Sequence, residues 1–382
     1  MNIKRILFFF IFIVVFYGGM NFYVGRSLFR WLIYLYPHIH RPIFTGSYML
    51  IALSVILSRF SLPVTIKRPI AWIGAHWLGI LIYFLLFFLL ADFFVLIGSA
   101  VRLIPSDMLQ SVRFYAGTAA IISTIGVVCY GLYNAKRIID VNYEIDIQPH
   151  KSLSSEMNIV VISDLHLGDI NSEKRLEYIV SRINSLEPDI VCILGDIFRD
   201  DFSLIRDPGA ASAHFKNIKA AYGVFAVLGN HDSGNTLPQM MDFLERSNVV
   251  LLNDEHVVID GRLVLIGRLD ASPIRGFGDM SRKPFAEIIA DVDTELPIVI
   301  MDHSPAHIEE YGSEIDLILA GHTHRGQIFP GVLLVKRMYE MYYGHYRRAN
   351  DGVHVIITQG VHTWMMPMRV GTNNEVVSVV VR

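Results

Sequence analysis

The 382-residue sequence is short of charged residues. Only 18% are Asp, Glu, Lys or Arg and 52% are hydrophobic, whereas soluble globular domains contain roughly 25% charged residues. Cysteine is nearly absent: Cys129 and Cys192 both lie in apolar runs that predict buried thiols. Two cysteines exclude a disulfide-rich scaffold, and the apolar content excludes a disordered chain. The composition predicts an ordered protein that lies partly in a membrane.

Acidic residues are scarce in the N-terminal part in particular. Residues 1–139 contain 12 Lys and Arg but only Asp92 and Asp107, a net charge of +10, and the whole chain carries −3, which leaves −13 for the remainder. The two parts are therefore expected to occupy different solvents. A charge of −13 also argues against nucleic acid as a substrate, because binding to phosphate backbones requires basic residues.

Four apolar stretches precede residue 140, at residues 6–24, 43–58, 70–98 and 114–133. A membrane-spanning helix needs about 20 apolar residues, and the second stretch is slightly short, so two or three spans are alternatives to four. No small-residue cleavage pattern follows the first stretch, which we interpret as a retained anchor rather than a signal peptide. Residues 1–140 are predicted to form an α-helical transmembrane bundle of about four helices.

The basic residues in the loops predict the orientation of this bundle. With four spans, seven Lys and Arg, including Lys4 and Arg137, lie on the N-terminal side, and five, including Arg26 and Arg113, lie on the opposite side. We therefore expect a multi-pass protein of the inner or plasma membrane whose C-terminal part is cytoplasmic. An odd number of spans would place that part outside.

The sequence pattern changes from about residue 141 to short β-rich runs that alternate with amphipathic segments. Strands are predicted at residues 158–163, 190–194 and 223–228, and helices at 172–186 and 211–222. This alternation is typical of a parallel sheet. Later runs have shorter connections and predict a second, mixed sheet, at residues 256–259, 263–266, 297–301, 315–319, 353–358 and 376–381. Residues 141–382 are expected to form an α/β domain.

Side chains that bind metal ions follow five of these predicted strands. The candidate ligands are Asp164, His166, Asp196, Asn230, His303, His322 and His324. The carboxyl ends of parallel strands meet at one edge of a sheet, so these side chains should converge. Oxygen and nitrogen donors without thiolates suit Mn²⁺, Fe or Zn²⁺ better than Ca²⁺. Seven ligands exceed the needs of one ion, which predicts two ions that share an aspartate, an arrangement suited to hydrolysis of a phosphate ester or anhydride.

The order of these motifs resembles that of the calcineurin-like metallophosphoesterase family. The motifs are D-x-H at 164–166, G-D at 195–196, G-N-H-D at 229–232, His303, and G-H-x-H at 321–324. The resemblance covers residues 141–382 and implies a two-sheet αββα sandwich. The C-terminal segment resembles the membrane-associated bacterial branch of the family, in which some members cleave the pyrophosphate of UDP-2,3-diacylglucosamine.

The resemblance also implies roles for individual residues. One metal would be held by Asp164, His166, Asp196 and His324, and the other by Asp196, Asn230, His303 and His322, so that Asp196 bridges them. Two divalent ions are expected, with manganese preferred over iron, zinc or magnesium. His231 would stabilise charge on the substrate or protonate the leaving oxygen, and Asp232 would orient His231.

The sequence departs from the family pattern at two positions. The turn after the last histidine pair is usually Gly-Gly-Gln and is here Arg325-Gly326-Gln327. Arg325 is therefore either a ligand for substrate phosphate or a surface residue. The stretch after Gly195-Asp196 also differs from the family pattern and is Ile197-Phe198-Arg199-Asp200, which argues against a role for an aspartate there.

We expect a membrane-anchored enzyme that hydrolyses a phosphoester or pyrophosphate bond of a lipid-linked or membrane-proximal substrate, because the anchor keeps the site close to the bilayer. One alternative is an anchored nucleotide or protein phosphatase. The other is a transporter or sensor with a regulatory metal-binding domain, which is disfavoured because Asp92 is the sole acid in the apolar stretches. The sequence does not predict an oligomeric state.

Overall fold

The computed structural model describes residues 11, 13–60, 62–147, 151, 155–168 and 173–382. The chain forms two compact units. One comprises the residues up to Tyr133 together with Met365–Met368, and the other comprises Asn134–Trp364 and Arg369–Arg382. The N-terminal unit is helical and the second contains both β-sheets, as the change of sequence pattern predicts.

Among its described residues, the helical unit contains four helices after a short π-helical turn, Ile13–Tyr17. They are α1 (Gly18–Leu35), α2 (Arg41–Leu57), α3 (Val64–Ala100) and α4 (Leu109–Asn134). In the described part of the chain, α3 and α4 are long and apolar enough to cross a membrane, whereas α2 is apolar but shorter. Residues 6–10 and 12 of the first predicted stretch lie outside the described residues, and residues 18–24 of this stretch belong to α1. The number of spans stays a prediction.

Polar side chains connect the helices of this unit. The indole nitrogen of Trp77 donates to Oδ1 of the buried Asn21 over 3.1 Å, and the hydroxyl of Tyr48 donates to the carbonyl oxygen of Asn21 over 2.9 Å. Buried polar groups are stable only when they are paired in this way. The prediction of a buried thiol is wrong for Cys129, which is exposed on α4, whereas Cys192 is buried.

The second unit contains two six-stranded sheets. The first has the order β1-β12-β2-β3-β4-β5 and the second the order β10-β11-β9-β8-β7-β6. The strands are β1 (Ile138–Ile145), β2 (Met157–Ile162), β3 (Ile190–Leu194), β4 (Val224–Val227), β5 (Val249–Leu251), β6 (Glu255–Ile259), β7 (Leu263–Gly267), β8 (Ile298–Met301), β9 (Leu317–Ala320), β10 (Gly344–Arg347), β11 (His354–Ile357) and β12 (Asn374–Val381). The helices are α5 (Glu173–Asn184), α6 (Pro208–Lys216), α7 (Leu237–Arg246), α8 (Phe285–Ile289) and α9 (Gly331–Met338).

Three apolar layers hold the sheets and helices together. In β2, Ile159 and Val161 face a core shared with residues of the second sheet such as Leu319. The alternate residues, among them Val160, pack instead with Phe215 of α6 and other helical side chains. A third core covers the outer face of the second sheet. Strands buried on both faces are typical of parallel sheets covered by helices, and the two-sheet α/β prediction is confirmed.

Strands β1, β5 and β10 and helices α7, α8 and α9 have no counterpart in the sequence prediction, and two predicted elements differ from the structure in position or length. The run at 376–381, expected in the second sheet, belongs to β12 in the first sheet, where it pairs parallel with β1 and antiparallel with β2. The predicted helix 211–222 is α6, which begins at Pro208 and ends at Lys216. Asp207 sets its start, because its carboxylate accepts a hydrogen bond from the Ala210 amide over 2.9 Å.

Candidate metal centre

Polar residues follow five strands of the two sheets. Strands β2, β3 and β4 are parallel neighbours in the first sheet, and β8 and β9 are parallel neighbours in the second. Asp164 and His166 follow β2, Asp196 follows β3, Asn230, His231 and Asp232 follow β4, His303 follows β8, and His322 and His324 follow β9. The structure brings all seven predicted ligands together at this edge.

The backbone at these positions is unusual. Five of the seven candidate ligands have a φ angle between 47° and 69°, the left-handed region that side chains other than glycine rarely adopt: Asp164, His166, Asp196, His322 and His324. Such conformations cost energy and cluster at functional sites. A neighbouring glycine permits the close packing that holds them, because a Cβ on Gly229 would lie 2.3 Å from the amide nitrogen of Asp196.

Asp164, His166 and His324 form the first cluster. One carboxylate oxygen and one ring nitrogen from each histidine all lie within 4.8 Å of one another. The Nε2 atom of His324 is 3.3 Å from Oδ1 of Asp164 and 3.2 Å from Nε2 of His166. Among the described residues, this Oδ1 atom is buried and has no hydrogen-bond partner. A buried carboxylate oxygen without a donor is expected where a cation binds.

Asp196, His303 and His322 form the second cluster, with Asn230 beside it. The Nε2 atom of His303 lies 3.1 Å from Nδ1 of His322 and 3.0 Å from Oδ1 of Asn230. The other ring nitrogen of His303, Nδ1, donates to the carbonyl oxygen of Leu194 over 2.7 Å. This second hydrogen bond fixes the tautomer that leaves Nε2 available as a metal ligand.

Asp196, a member of the second cluster, also lies close to the first. Its Oδ2 atom is 3.4 Å from Nε2 of His303 in the second cluster and 3.8 Å from Nε2 of His166 in the first. Its Oδ1 atom accepts a hydrogen bond from the backbone amide of His231 over 2.9 Å. The carboxylate is therefore held rigidly at the junction of the two clusters.

The protonation states of three of the four candidate histidines suit a divalent cation. Burial lowers the pKa of His166 to about 3 and also lowers the pKa of His322 and His324, so these rings are neutral near pH 7. Burial alone would lower the pKa of His303, but the charge of Asp196 raises it, so this ring would lose a proton when it binds a cation. Burial alone would raise the pKa of Asp196, but the neighbouring His303 holds it well below the usual range. Neutral imidazoles and ionised carboxylates are the forms that bind metals. Together with the unpartnered oxygen of Asp164, they make these residues fit a site for divalent metal ions.

His231 has a different carboxylate partner from the one expected. Its Nδ1 atom lies 2.6 Å from Oδ1 of Asp200, whereas the carboxylate of Asp232 accepts the backbone amides of Ile197, Phe198 and Gly229 over 2.7–3.1 Å. The prediction that Asp232 orients His231 is corrected by this geometry. Asp232 instead fixes the backbone that follows Asp196. The sequence argued against a role for Asp200, and the structure corrects this, because Asp200 is the carboxylate that holds His231.

The guanidinium of Arg325 packs against an aromatic ring. It lies 4.3 Å from the ring centroid of Tyr343, and the residue is half-buried with a φ of 52°. The Tyr343 hydroxyl in turn donates to the carboxylate of Glu375 over 3.1 Å. Binding of substrate phosphate by Arg325 stays a prediction.

Arg369 is a residue of the site that sequence reasoning did not assign. It is wholly buried, and its guanidinium donates to the carbonyl oxygens of His324 over 3.1 Å and Gln359 over 2.7 Å and to Oδ1 of Asn374 over 2.8 Å. Burial lowers its pKa to about 10, so it stays cationic at neutral pH. Its position in the sequence indicates a special role, because Arg369 is the sole charged residue between residues 352 and 374.

A two-sheet α/β sandwich with buried Asp and His clusters at its strand ends defines a metal-dependent hydrolase. Comparison with known families agrees: the family model of the calcineurin-like phosphoesterases matches residues 157–326. An uncharacterized metallophosphoesterase of Aquifex aeolicus is 30% identical over 229 residues, which are 60% of this chain and 86% of that protein. The chain belongs to the calcineurin-like phosphoesterase family and is a phosphoester hydrolase.

One relative extends the similarity beyond the catalytic part. A Danio rerio protein described as "Transmembrane protein with metallophosphoesterase domain" is 28% identical over 334 residues, 80% of this chain and 74% of that protein. An uncharacterized metallophosphoesterase of Helicobacter pylori is 28% identical over 233 residues, 59% of each chain, so this chain spans about three fifths of that relative. An alignment over 80% of the chain includes part of the helical region. With the apolar helices, it indicates association with a membrane.

Proposed function

We propose that the protein is a membrane-anchored phosphoesterase with two divalent metal ions, manganese being preferred, that hydrolyses a phosphoester or pyrophosphate bond of a lipid-linked or membrane-proximal substrate. The observation that carries the proposal is the position of Asp196, in one His/Asp cluster and close to the other, on a chain with apolar helices long enough to cross a bilayer. The position of Asp196 supports the two-metal chemistry, and the apolar helices support the membrane-proximal substrate.

The proposed ligands of the first ion are Asp164, His166, Asp196 and His324, and those of the second are Asp196, Asn230, His303 and His322. Two bound divalent ions would supply a water of lowered pKa and neutralise charge on the phosphoryl oxygens. Asp196 would be shared, which agrees with the short distances from its Oδ2 atom to one histidine of each cluster.

His231 is proposed to protonate the leaving oxygen. Water attacks phosphorus and loses a proton to solvent, while the bond between phosphorus and the leaving oxygen breaks. The leaving oxygen takes a proton from the ring of His231, and solvent then returns a proton to the ring. Asp200 binds Nδ1 of the ring, so Nε2 is the nitrogen available to the substrate. Burial alone would lower the pKa of His231, but the hydrogen bond to Asp200 and the charge of Asp196 raise it, which favours the protonated ring.

The substrate class follows from the anchor. A catalytic domain joined directly to apolar helices stays within about its own width of the bilayer, so substrates held at the membrane surface are at a high effective concentration. A lipid-linked pyrophosphate of the UDP-diacylglucosamine type meets this condition. The anchor would not raise the effective concentration of a soluble nucleotide at the site.

The test compares two substrates with the same pyrophosphate bond. The full-length protein in detergent with Mn²⁺ is given UDP-2,3-diacylglucosamine or UDP-N-acetylglucosamine, which lacks the long acyl chains, and kcat/KM is measured for each. The proposal expects a higher kcat/KM for the acylated substrate, with both activities lost in Asp196→Asn. An equal or higher value for the soluble substrate would favour an anchored nucleotide phosphatase, and hydrolysis of a phosphoprotein alone would favour a protein phosphatase.

A further inference from the structure

Helix α9 exposes an unusual number of apolar side chains. Leu333, Leu334 and Met338 are 57%, 68% and 72% exposed, and Phe329, just before the helix, is 45% exposed. No residue of α9 is buried. Scattered apolar side chains on a surface need no explanation, but four within ten residues mark a contact surface.

These side chains share one face with basic residues. At 100° per residue, Leu333, Leu334, Arg337 and Met338 lie on the same side of α9, whereas Val332 and Val335 lie on the other side and are half-buried against the domain. Lys336 flanks the exposed face, and its ammonium lies 5.7 Å from the ring centroid of Tyr342. Helix α9 has no acidic residue. Leucine and methionine beside lysine and arginine are typical of helices that lie in a membrane interface.

Both ends of α9 are tied to the segment that carries two candidate metal ligands. At its start, Gly331 packs so closely on the turn after His324 that a Cβ there would lie 2.4 Å from the carbonyl oxygen of Gly326. At its end, the amide of Tyr339 donates to the carbonyl oxygen of Val335 over 3.0 Å, and the Tyr339 ring packs edge-on against His322 with 6.2 Å between centroids. The exposed face of α9 therefore has a fixed position relative to the metal centre.

We propose that α9 is an interfacial helix that inserts Leu333, Leu334 and Met338 into the headgroup region of an anionic bilayer beside the metal centre. The charge favours this occupant, because Lys336 and Arg337 complement anionic lipid headgroups and their long side chains reach them while the apolar side chains insert. A bilayer is also within reach of a domain that continues from apolar helices. An eight-residue helix is small for a protein interface, which buries roughly 800 Å² on each partner.

The binding of α9 to lipid does not depend on the activity proposed above. One consequence does rest on it: the phosphate that enters the metal centre would come from the membrane surface on which α9 lies. The enzyme would then select membrane-bound over soluble substrates by its position on the bilayer, in addition to recognising the headgroup.

The binding is tested with the full-length protein in vesicles that contain phosphatidylglycerol. Cys129→Ser removes the exposed thiol, and Cys192 is buried and out of reach of a label. Leu334→Cys then carries an environment-sensitive fluorophore, and Glu245→Cys, on the exposed side of α7, carries the same label as the matched control. At 334 we expect blue-shifted emission and strong quenching by spin-labelled lipids, and at 245 the emission of a label in water.

One further variant and one further lipid composition test the proposal more closely. Leu333→Asp, added to Leu334→Cys, should reduce the quenching because a charge opposes insertion, and vesicles of phosphatidylcholine alone should reduce it because Lys336 and Arg337 lose their counter-charges. Emission at 334 equal to that at 245 would overturn the proposal, as would equal quenching at both positions. If the label at 334 is quenched as expected but the protein does not hydrolyse a lipid substrate, the proposed function is overturned and the proposal of an interfacial helix is retained.

Discussion

Nδ1 of His231 lies 2.6 Å from Oδ1 of Asp200, a residue 31 positions away, and the carboxylate of the adjacent Asp232 is turned to backbone amides instead. Burial alone would raise the pKa of Asp200, but the hydrogen bond to His231 holds it below the usual range, so the carboxylate is ionised. The pair fixes the ring orientation and tautomer of His231. Asp200 follows Asp196 by four residues, so the end of β3 supplies both a candidate ligand and the partner of His231.

Asp200→Asn is expected to lower kcat by about 10–100-fold, the usual effect of losing a carboxylate that orients a functional histidine. The metal content should not change, because the side chain of Asp200 is hydrogen-bonded to His231 and not to a candidate ligand. The double variant Asp200→Asn/His231→Gln should be no slower than His231→Gln, since Asp200 acts through the ring. Steady-state kinetics and metal analysis check both expectations.

The matched control is Asp201→Asn, because Asp201 is the neighbouring carboxylate and caps the short turn Phe202–Leu204. It should retain the wild-type kcat. A loss in the double variant equal to the product of the two single losses would mean that Asp200 acts independently of His231, contrary to the proposed role.

The candidate ligands of this site could be predicted from the sequence, but the carboxylate that binds His231 could not. The seven candidate ligands could be predicted because each follows a strand and the order of the motifs is informative. Asp200 could not be paired with His231, because the pairing depends on the backbone between Asp196 and Asp200, where both residues adopt positive φ angles. Asp232, adjacent to His231 in the sequence, was the simpler expectation and lies elsewhere because three backbone amides compete for its carboxylate.

Asp196→Asn is expected to reduce hydrolysis by roughly a thousandfold or more, given the contribution of metal ions to such reactions. The substitution keeps the size of the side chain and an acceptor for the His231 amide, but it removes the charge next to both clusters. Both metal occupancy and turnover should fall, and measuring the two on one preparation tests this. Near-wild-type turnover with full metal content would contradict a shared ligand at this position.

The order of strands in the sheets is harder to predict than the strands themselves. The run at 376–381 is apolar on both faces, and its register in the first sheet pairs Val377 with Val161 of β2 and with Val141 of β1. An apolar run of this kind fits the centre of either sheet equally well, because no alternation distinguishes its faces. The local pattern therefore predicts a buried strand but not the sheet that contains it.

The C-terminus is expected on the cytoplasmic side of the membrane. Seven basic residues against five favour this orientation for four spans. A reporter fused after Arg382 that is active only in the cytoplasm should be active, and a reporter that is active only outside should be silent. The opposite pattern would mean an odd number of spans or the reverse orientation of four, and it would remove access to cytoplasmic lipid precursors.

His231→Gln separates catalysis from metal binding. His231 follows Asn230 directly, but its ring nitrogen Nδ1 is bonded to Asp200, so its loss should leave the metals bound and the fold intact. For an alkyl phosphodiester, kcat should fall by about 10²–10⁴, the usual range for losing a positioned acid. For a nitrophenyl phosphodiester the loss should be much smaller, because nitrophenolate departs without a proton.

The comparison of the two substrates identifies the role of the ring. A loss that depends on the leaving group requires proton transfer from His231, whereas equal losses on both substrates would mean that the ring only stabilises charge on the phosphoryl group. A fall in metal content would make His231 a ligand, in conflict with its hydrogen bond to Asp200. Because Asp200→Asn disturbs only the orientation of the same ring, its smaller loss should show the same dependence on the leaving group, which a purely structural effect would not produce.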